Sequence, residues 1–140
     1  MEPLYTAEAL ATGEGRNGHT ATSDGRIDLD LAIPKELGGS GNGANPEQLF
    51  AAGYAACFHS ALQTVARSEK IKLTDTSVGA RVSIGSTGNG GFGLAVELEV
   101  TIPDMPHEQA QKLADAAHRV CPYSNATRGN IDVTVTVSDD

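Results

Sequence analysis

Hydrophobic positions recur in two rhythms along this chain, and the switches between them mark out its elements. In RIDLDLAIP, Ile27, Leu29, Leu31 and Ile33 alternate with polar or small residues, the two-residue period of a half-buried strand. The same period predicts long strands over Ser77–Ser86 and Phe92–Ile102, joined by a TGNGG hairpin turn. It returns in NIDVTVTV, where Ile131, Val133, Val135 and Val137 alternate. Shorter strands are predicted over Tyr5–Ala11 and His19–Thr22, around a GEGRNG turn at Gly13–Gly18, with a second turn at Ser23–Gly25. Gly38–Asn45 reads as a flexible glycine-rich loop.

The helical period appears twice. NPEQLFAAGYAACFHSAL opens a helix predicted over residues 46–68. Asn45 suits the cap, Pro46 the first turn, and Gln48 stands three residues after the cap to complete a capping box. From Leu49 to Phe58 there is almost no polar face, so this helix is expected to be central and packed on several sides. A second amphipathic helix is predicted over residues 106–119, with Ala110, Leu113, Ala114, Ala117 and Val120 on one face, until Pro122 interrupts it. The sum is an α+β protein of about six strands and two main helices. A chain of 140 residues without internal repeats is expected to form a single domain over 1–140.

Charge narrows the partners. A formal net charge of −8, with ten scattered basic residues, argues against a nucleic-acid or anionic-membrane partner. The longest apolar run, Leu49 to Phe58, is far shorter than the roughly 20 residues needed to span a bilayer. The opening MEPLYTAEAL has no basic segment followed by an apolar one, so no secretory leader and a cytoplasmic location are expected. There a static disulfide between the two cysteines is unusual, whereas a transient catalytic one is not.

The cysteines themselves look quiet in their local settings. Cys57 lies mid-helix among apolar residues, where desolvation disfavours a thiolate. Cys121 precedes a proline and so ends a helix, at the negative pole of its dipole. A nucleophilic cysteine therefore needs a cation from elsewhere. Arg16, alone in its glycine turn, can supply one, although the turn by itself is better met by a solvated arginine. Glu47 is its natural partner, and is also what dipole stabilisation alone selects in a first helical turn. Glu47 precedes Cys57 by ten residues, about 15 Å along a helix and about 80° around it. It cannot touch the cysteine of its own helix. Either Arg16 bridges the two, or Glu47 reaches a second chain.

The four histidines, His19, His59, His107 and His118, have neither metal-ligand nor Cys–His dyad spacing, and no C-x-x-C occurs. GNGGFG superficially resembles a phosphate loop, but the strands on either side make it a hairpin.

NPEQLFAAGYAACF and CPYSNATRGN, together with a glycine-flanked arginine near the start, strongly resemble the organic hydroperoxide resistance proteins, one branch of the Ohr/OsmC superfamily. The resemblance covers essentially the whole chain. It implies an OsmC/Ohr-like fold, an intertwined homodimer with two active sites at the interface, and a thiol peroxidase that reduces organic hydroperoxides to alcohols. On that resemblance Cys57 is the peroxidatic cysteine, Cys121 the resolving one, and Arg16 and Glu47 the activating pair. It further implies no bound cofactor or metal, and recycling by a dithiol of the dihydrolipoamide type on a lipoylated protein. Combined with the helix-rise estimate, it leads to the expectation that Glu47, and Arg16 with it, act in trans. An OsmC-type peroxidase of broader substrate range, and a redox-sensing or apolar-ligand-binding protein without turnover, are the competing readings.

Overall fold

A computed structural model describes residues 1–138 of the chain. They fall into two compact units, one ending at Leu49 and the other starting at Phe50.

In the first unit, strands β1 (Ala9–Thr12), β2 (His19–Thr22) and β3 (Asp28–Asp30) form an antiparallel sheet in that order. The first and third strands are shorter than their sequence patterns predict, because pairing, not propensity, sets their length. β1 is a strand only where it meets β2, from Ala9 opposite Thr22 to Thr12 opposite His19. β3 ends at Asp30 because the backbone then turns to other partners. The Leu31 N–H donates to the Gly18 carbonyl and the Ala32 N–H to that of Ala44. The glycine-rich segment after it is bonded back onto this turn, with the Gly41 N–H on the Ile33 carbonyl and the Ala44 N–H on that of Asp30.

Helix α1 spans Pro46–Ser68, the limits read from the sequence. Its cap is reciprocal: the Gln48 N–H donates to Asn45 Oδ1 at 2.8 Å, and the Asn45 N–H to Gln48 Oε1 at 3.0 Å. Two otherwise orphaned donors are thereby satisfied.

The second unit holds β4 (Ser77–Ser86), β5 (Phe92–Thr101), α2 (His107–Val120), α3 (Pro122–Thr127) and β6 (Val133–Val137). β4 and β5 form the expected hairpin, in register from Ser77 opposite Thr101 to Ser86 opposite Phe92. β6 lies parallel to β5 on its other side. The alternation seen in the sequence aims Val96, Leu98 and Val100 into the core, where Tyr54, Phe58, Leu62 and Ala66 of α1 and Ala110, Leu113, Ala114 and Ala117 of α2 are also buried. α2 is displaced by one residue from the predicted 106–119, since Pro106 caps it rather than entering it.

Pro122 does more than interrupt a helix. Cys121 takes extended geometry (φ −63°, ψ 125°), as a pre-proline residue prefers, and Pro122 then opens α3 from its first turn. One residue both ends α2 and caps α3. No described helix is long and apolar enough to cross a membrane.

Candidate active site

The residues singled out from the sequence form two clusters, one in each unit. In the first, Arg16 sits on a single helical turn, Gly15–Asn17. Gly18 closes that turn, and no side chain could replace its hydrogen, because a Cβ there would lie 2.1 Å from the Thr12 carbonyl oxygen. The Asn17 side-chain oxygen accepts from the Ile33 N–H at 3.1 Å and ties the turn to the segment after β3. From this base the Arg16 guanidinium makes a fork-to-fork bridge to Glu47, Nη1 to Oε1 at 2.7 Å and Nη2 to Oε2 at 3.1 Å. The Glu47 carboxylate is 14% exposed, and its hydrogen bonds hold the guanidinium more firmly protonated than usual.

In the second cluster, Cys57 on α1 faces Cys121 at the α2–α3 junction. Their sulfurs are 3.7 Å apart, and both cysteines are free thiols. Cys57 is half-buried, whereas Cys121 is wholly buried. Burial pushes the Cys57 thiol above its ordinary range. The backbone N–H of Tyr123, in the first turn of α3, works against that rise, and the neighbouring Cys121 thiol adds to it.

An aromatic wall is built from α1 and α3. The Phe50, Tyr54 and Tyr123 rings meet with centroids 5.5–5.9 Å apart. The Tyr123 ring lies across α1 at Gly53, where a Cβ would come within 2.8 Å of the phenol oxygen. Glycine at that position is what lets the ring lie so close.

Behind the wall runs a buried polar chain. The Tyr54 hydroxyl is 2.9 Å from Ser124 Oγ and 3.0 Å from Thr127 Oγ1, and Ser124 Oγ is 2.7 Å from His118 Nδ1. Burial, with Arg128 nearby, lowers the His118 pKa despite the opposing Asp115. The ring is therefore held toward its neutral form, and Nδ1 shares a hydrogen bond with the Ser124 hydroxyl. Ser124 Oγ and Thr127 Oγ1 both bond the Tyr54 hydroxyl, and the Thr127 hydroxyl also donates to the Ser124 carbonyl at 3.2 Å.

The other histidines are engaged elsewhere. His59 Nε2 bonds the Thr76 hydroxyl at 2.8 Å, and His19 lies between Asp28 and Asp30. Among the described residues no group of three or more His, Cys, Asp or Glu side chains is arranged to hold a metal ion.

Comparison with known proteins bears on this arrangement. A family model described as OsmC-like protein matches residues 39–136. The organic hydroperoxide resistance protein of Xanthomonas axonopodis pv. citri (strain 306) is 56% identical over 137 residues, covering 96% of this chain and 95% of that protein. The chain belongs to the organic hydroperoxide resistance branch of the OsmC-like family. Solved structures agree. An organic hydroperoxide resistance protein from Elizabethkingia anophelis superposes with a TM-score of 0.94 at 56% identity, covering 100% of both chains. The protein OhrB of Bacillus subtilis gives 0.88 at 45% identity, covering 97% of this chain and 100% of that one. Family membership implies a part in resistance to organic hydroperoxides, within the response to oxidative stress.

Two features of the site escaped the sequence reading: the Tyr123 N–H and the hydroxyl chain behind it. One signal was available, since proline directly after Cys121 is as good a helix opener as it is a terminator.

Proposed function

We propose that this chain is a thiol-dependent peroxidase that reduces alkyl, aryl and fatty-acid hydroperoxides to alcohols. The observation carrying this reading is the 3.7 Å approach of Cys57 and Cys121, thiols separated by 64 positions in sequence. The Cys57 thiolate attacks the distal peroxide oxygen. The O–O bond breaks, the alcohol leaves as it takes up a proton, and Cys57 becomes a sulfenic acid. The Cys121 sulfur then attacks the Cys57 sulfur, forming the S–S bond while the S–O bond breaks and water departs. The sulfurs close from 3.7 Å to about 2.05 Å in that step. A dithiol of the dihydrolipoamide type, carried by a lipoylated protein, exchanges with the disulfide and restores both thiols.

Substrate preference follows from the setting. A half-buried cysteine packed against the apolar core, on the helix that carries Phe50 and Tyr54, favours apolar hydroperoxides, which gain from burial, over small hydrated hydrogen peroxide, which does not. Arg16, oriented by its bridge to Glu47, supplies the cation that the Cys57 thiolate lacks from its own surroundings. Since Glu47 begins the helix about 15 Å before Cys57, the pair serves the cysteine of a second copy in a cytoplasmic homodimer.

The test is consumption of cumene hydroperoxide with dihydrolipoamide as reductant. The Cys57→Ser chain is expected to consume none, and the Cys121→Ser chain one equivalent before stalling at the sulfenic acid. Undiminished turnover by Cys57→Ser would overturn the proposal.

A further inference from the structure

The peroxidase chemistry uses none of the side chains in the buried chain that links Tyr54, Ser124, Thr127 and His118, yet these groups are costly to keep in a core. Tyr54 and Ser124 are fully buried and Thr127 is 5% exposed. A buried hydroxyl is unfavourable unless it is bonded, and phenylalanine would fill nearly the same volume as Tyr54 without that demand. Every one of these hydroxyls is satisfied.

The bonds converge on α3. A six-residue helix does not hold itself together in water, so its place is set by what grips it. Two of its residues, Ser124 and Thr127, are gripped by the Tyr54 hydroxyl from α1, and Ser124 is also gripped by His118 from the last turn of α2. At its start α3 presents the features on which Cys57 depends. Cys121 immediately precedes it, its sulfur 3.7 Å from that of Cys57, and the Tyr123 N–H lies close enough to Cys57 to oppose the rise of its pKa. Tyr54 and Cys57 share helix α1, so the hydroxyl fixes the amide and the second thiol relative to the helix that carries the first.

We propose that Tyr54 is a positioning residue: its hydroxyl, through Ser124 and Thr127, holds α3 so that the Tyr123 amide faces Cys57 and Cys121 stays within reach of it. This rests on the reading of Cys57 and Cys121 as a redox couple. The step it serves is disulfide closure, in which Cys57, oxidised to the sulfenic acid by an organic hydroperoxide, loses its oxygen as water to the attacking Cys121 sulfur. The titratable groups bearing on this cluster are Cys121 on Cys57, and Arg128 and Asp115 on His118.

The experiment compares Tyr54→Phe with wild type in the full chain by two measurements. The first, in a Cys121→Ser background and without peroxide, follows the iodoacetamide alkylation rate of Cys57 against pH. The second follows disulfide formation after one equivalent of cumene hydroperoxide by rapid quench and mass spectrometry. Tyr54→Phe is expected to move the alkylation midpoint upward by about half a pH unit, roughly threefold in thiolate population at neutral pH. It is also expected to slow disulfide closure severalfold while leaving sulfenic acid formation at saturating pH unchanged. Thr127→Val, which removes the hydroxyl and keeps the shape, is expected to act in the same direction, and Thr127→Ser to restore the wild-type profile. A lowered melting temperature with both the alkylation midpoint and the closure rate at wild-type values would overturn the proposal, leaving Tyr54 a packing residue. Failure of the wild type itself to form a disulfide would count against the peroxidase reading, and the alkylation profile would then decide the role of Tyr54 on its own.

Discussion

Replacing Gly53 by alanine sets two effects of known sign against each other. In the middle of α1, glycine costs the helix about 1 kcal/mol relative to alanine, so the substitution stabilises the helix by that amount. Against this, the new methyl would lie 2.8 Å from the Tyr123 phenol oxygen and 3.3 Å from two ring carbons. Ordinary contact lies near 3.5 Å, so the ring tip has to retreat by about 0.7 Å. Tyr123 is 38% exposed and can swing its tip outward, whereas its backbone N–H, at the other end of the residue, stays in place. The expected outcome is a melting temperature equal to wild type or higher by about 3 °C, with an unchanged pH profile for Cys57 alkylation. Thermal unfolding of a four-member cycle with Tyr123→Phe isolates the contact. Without the phenol oxygen, Gly53→Ala is expected to stabilise by about 0.5 kcal/mol more than it does in its presence. A loss of several degrees that persists in the Tyr123→Phe background would refute the reasoning, since it would mean that more than the phenol tip opposes the methyl.

Arg16→Ala is expected to slow peroxide consumption at neutral pH while changing stability by less than about 1 kcal/mol, because the Arg16–Glu47 bridge is partly exposed. A wild-type rate would reduce Arg16 to a turn residue. Acid sensitivity follows from the histidines. His118 has a lowered pKa in the folded chain, so below about pH 6.5 the unfolded chain binds more protons and stability falls as pH falls through that window. His19, raised by Asp30 and Asp28, acts in the opposite sense, its contribution being complete below about pH 6.5 and fading as pH rises through its folded value. Urea unfolding midpoints at pH 5, 6, 7 and 8 are therefore expected to show a shallower acid loss for His118→Asn than for wild type, and a steeper one would reverse this assignment.

Where a pattern was long and its partners lay nearby, the fold was legible from the residues. The capped start of α1, the β4–β5 hairpin and the alternation of β6 all carry their signals within a few residues of where they act. β1 and β3 were read too long because strand length depends on a partner elsewhere in the chain. α3 was missed because Pro122 was given one meaning when it has two. The same contrast holds at the site. Both cysteines, Arg16 and Glu47 could be singled out, although the cysteines look quiet locally and only the family resemblance gives the four their roles. Tyr54 did not, because a tyrosine within a small-residue helix reads as core, and its hydroxyl partners are 70 and 73 residues away.

The sequence distance between the two thiols has a consequence for energetics as well as for catalysis. They are 64 positions apart, and only the folded chain brings them together. A bond between them would close a loop large enough to restrict the unfolded chain by about 4 kcal/mol in the loop-entropy description. Thermodynamic linkage makes the effect reciprocal. Whatever oxidation adds to the persistence of the fold, the fold adds to the resistance of that bond to reduction, about 90 mV for a two-electron couple. A protein built this way is hardest to unfold when it has just met its oxidant, and its return to the working state sets a lower bound on the strength of the electron donor it depends on.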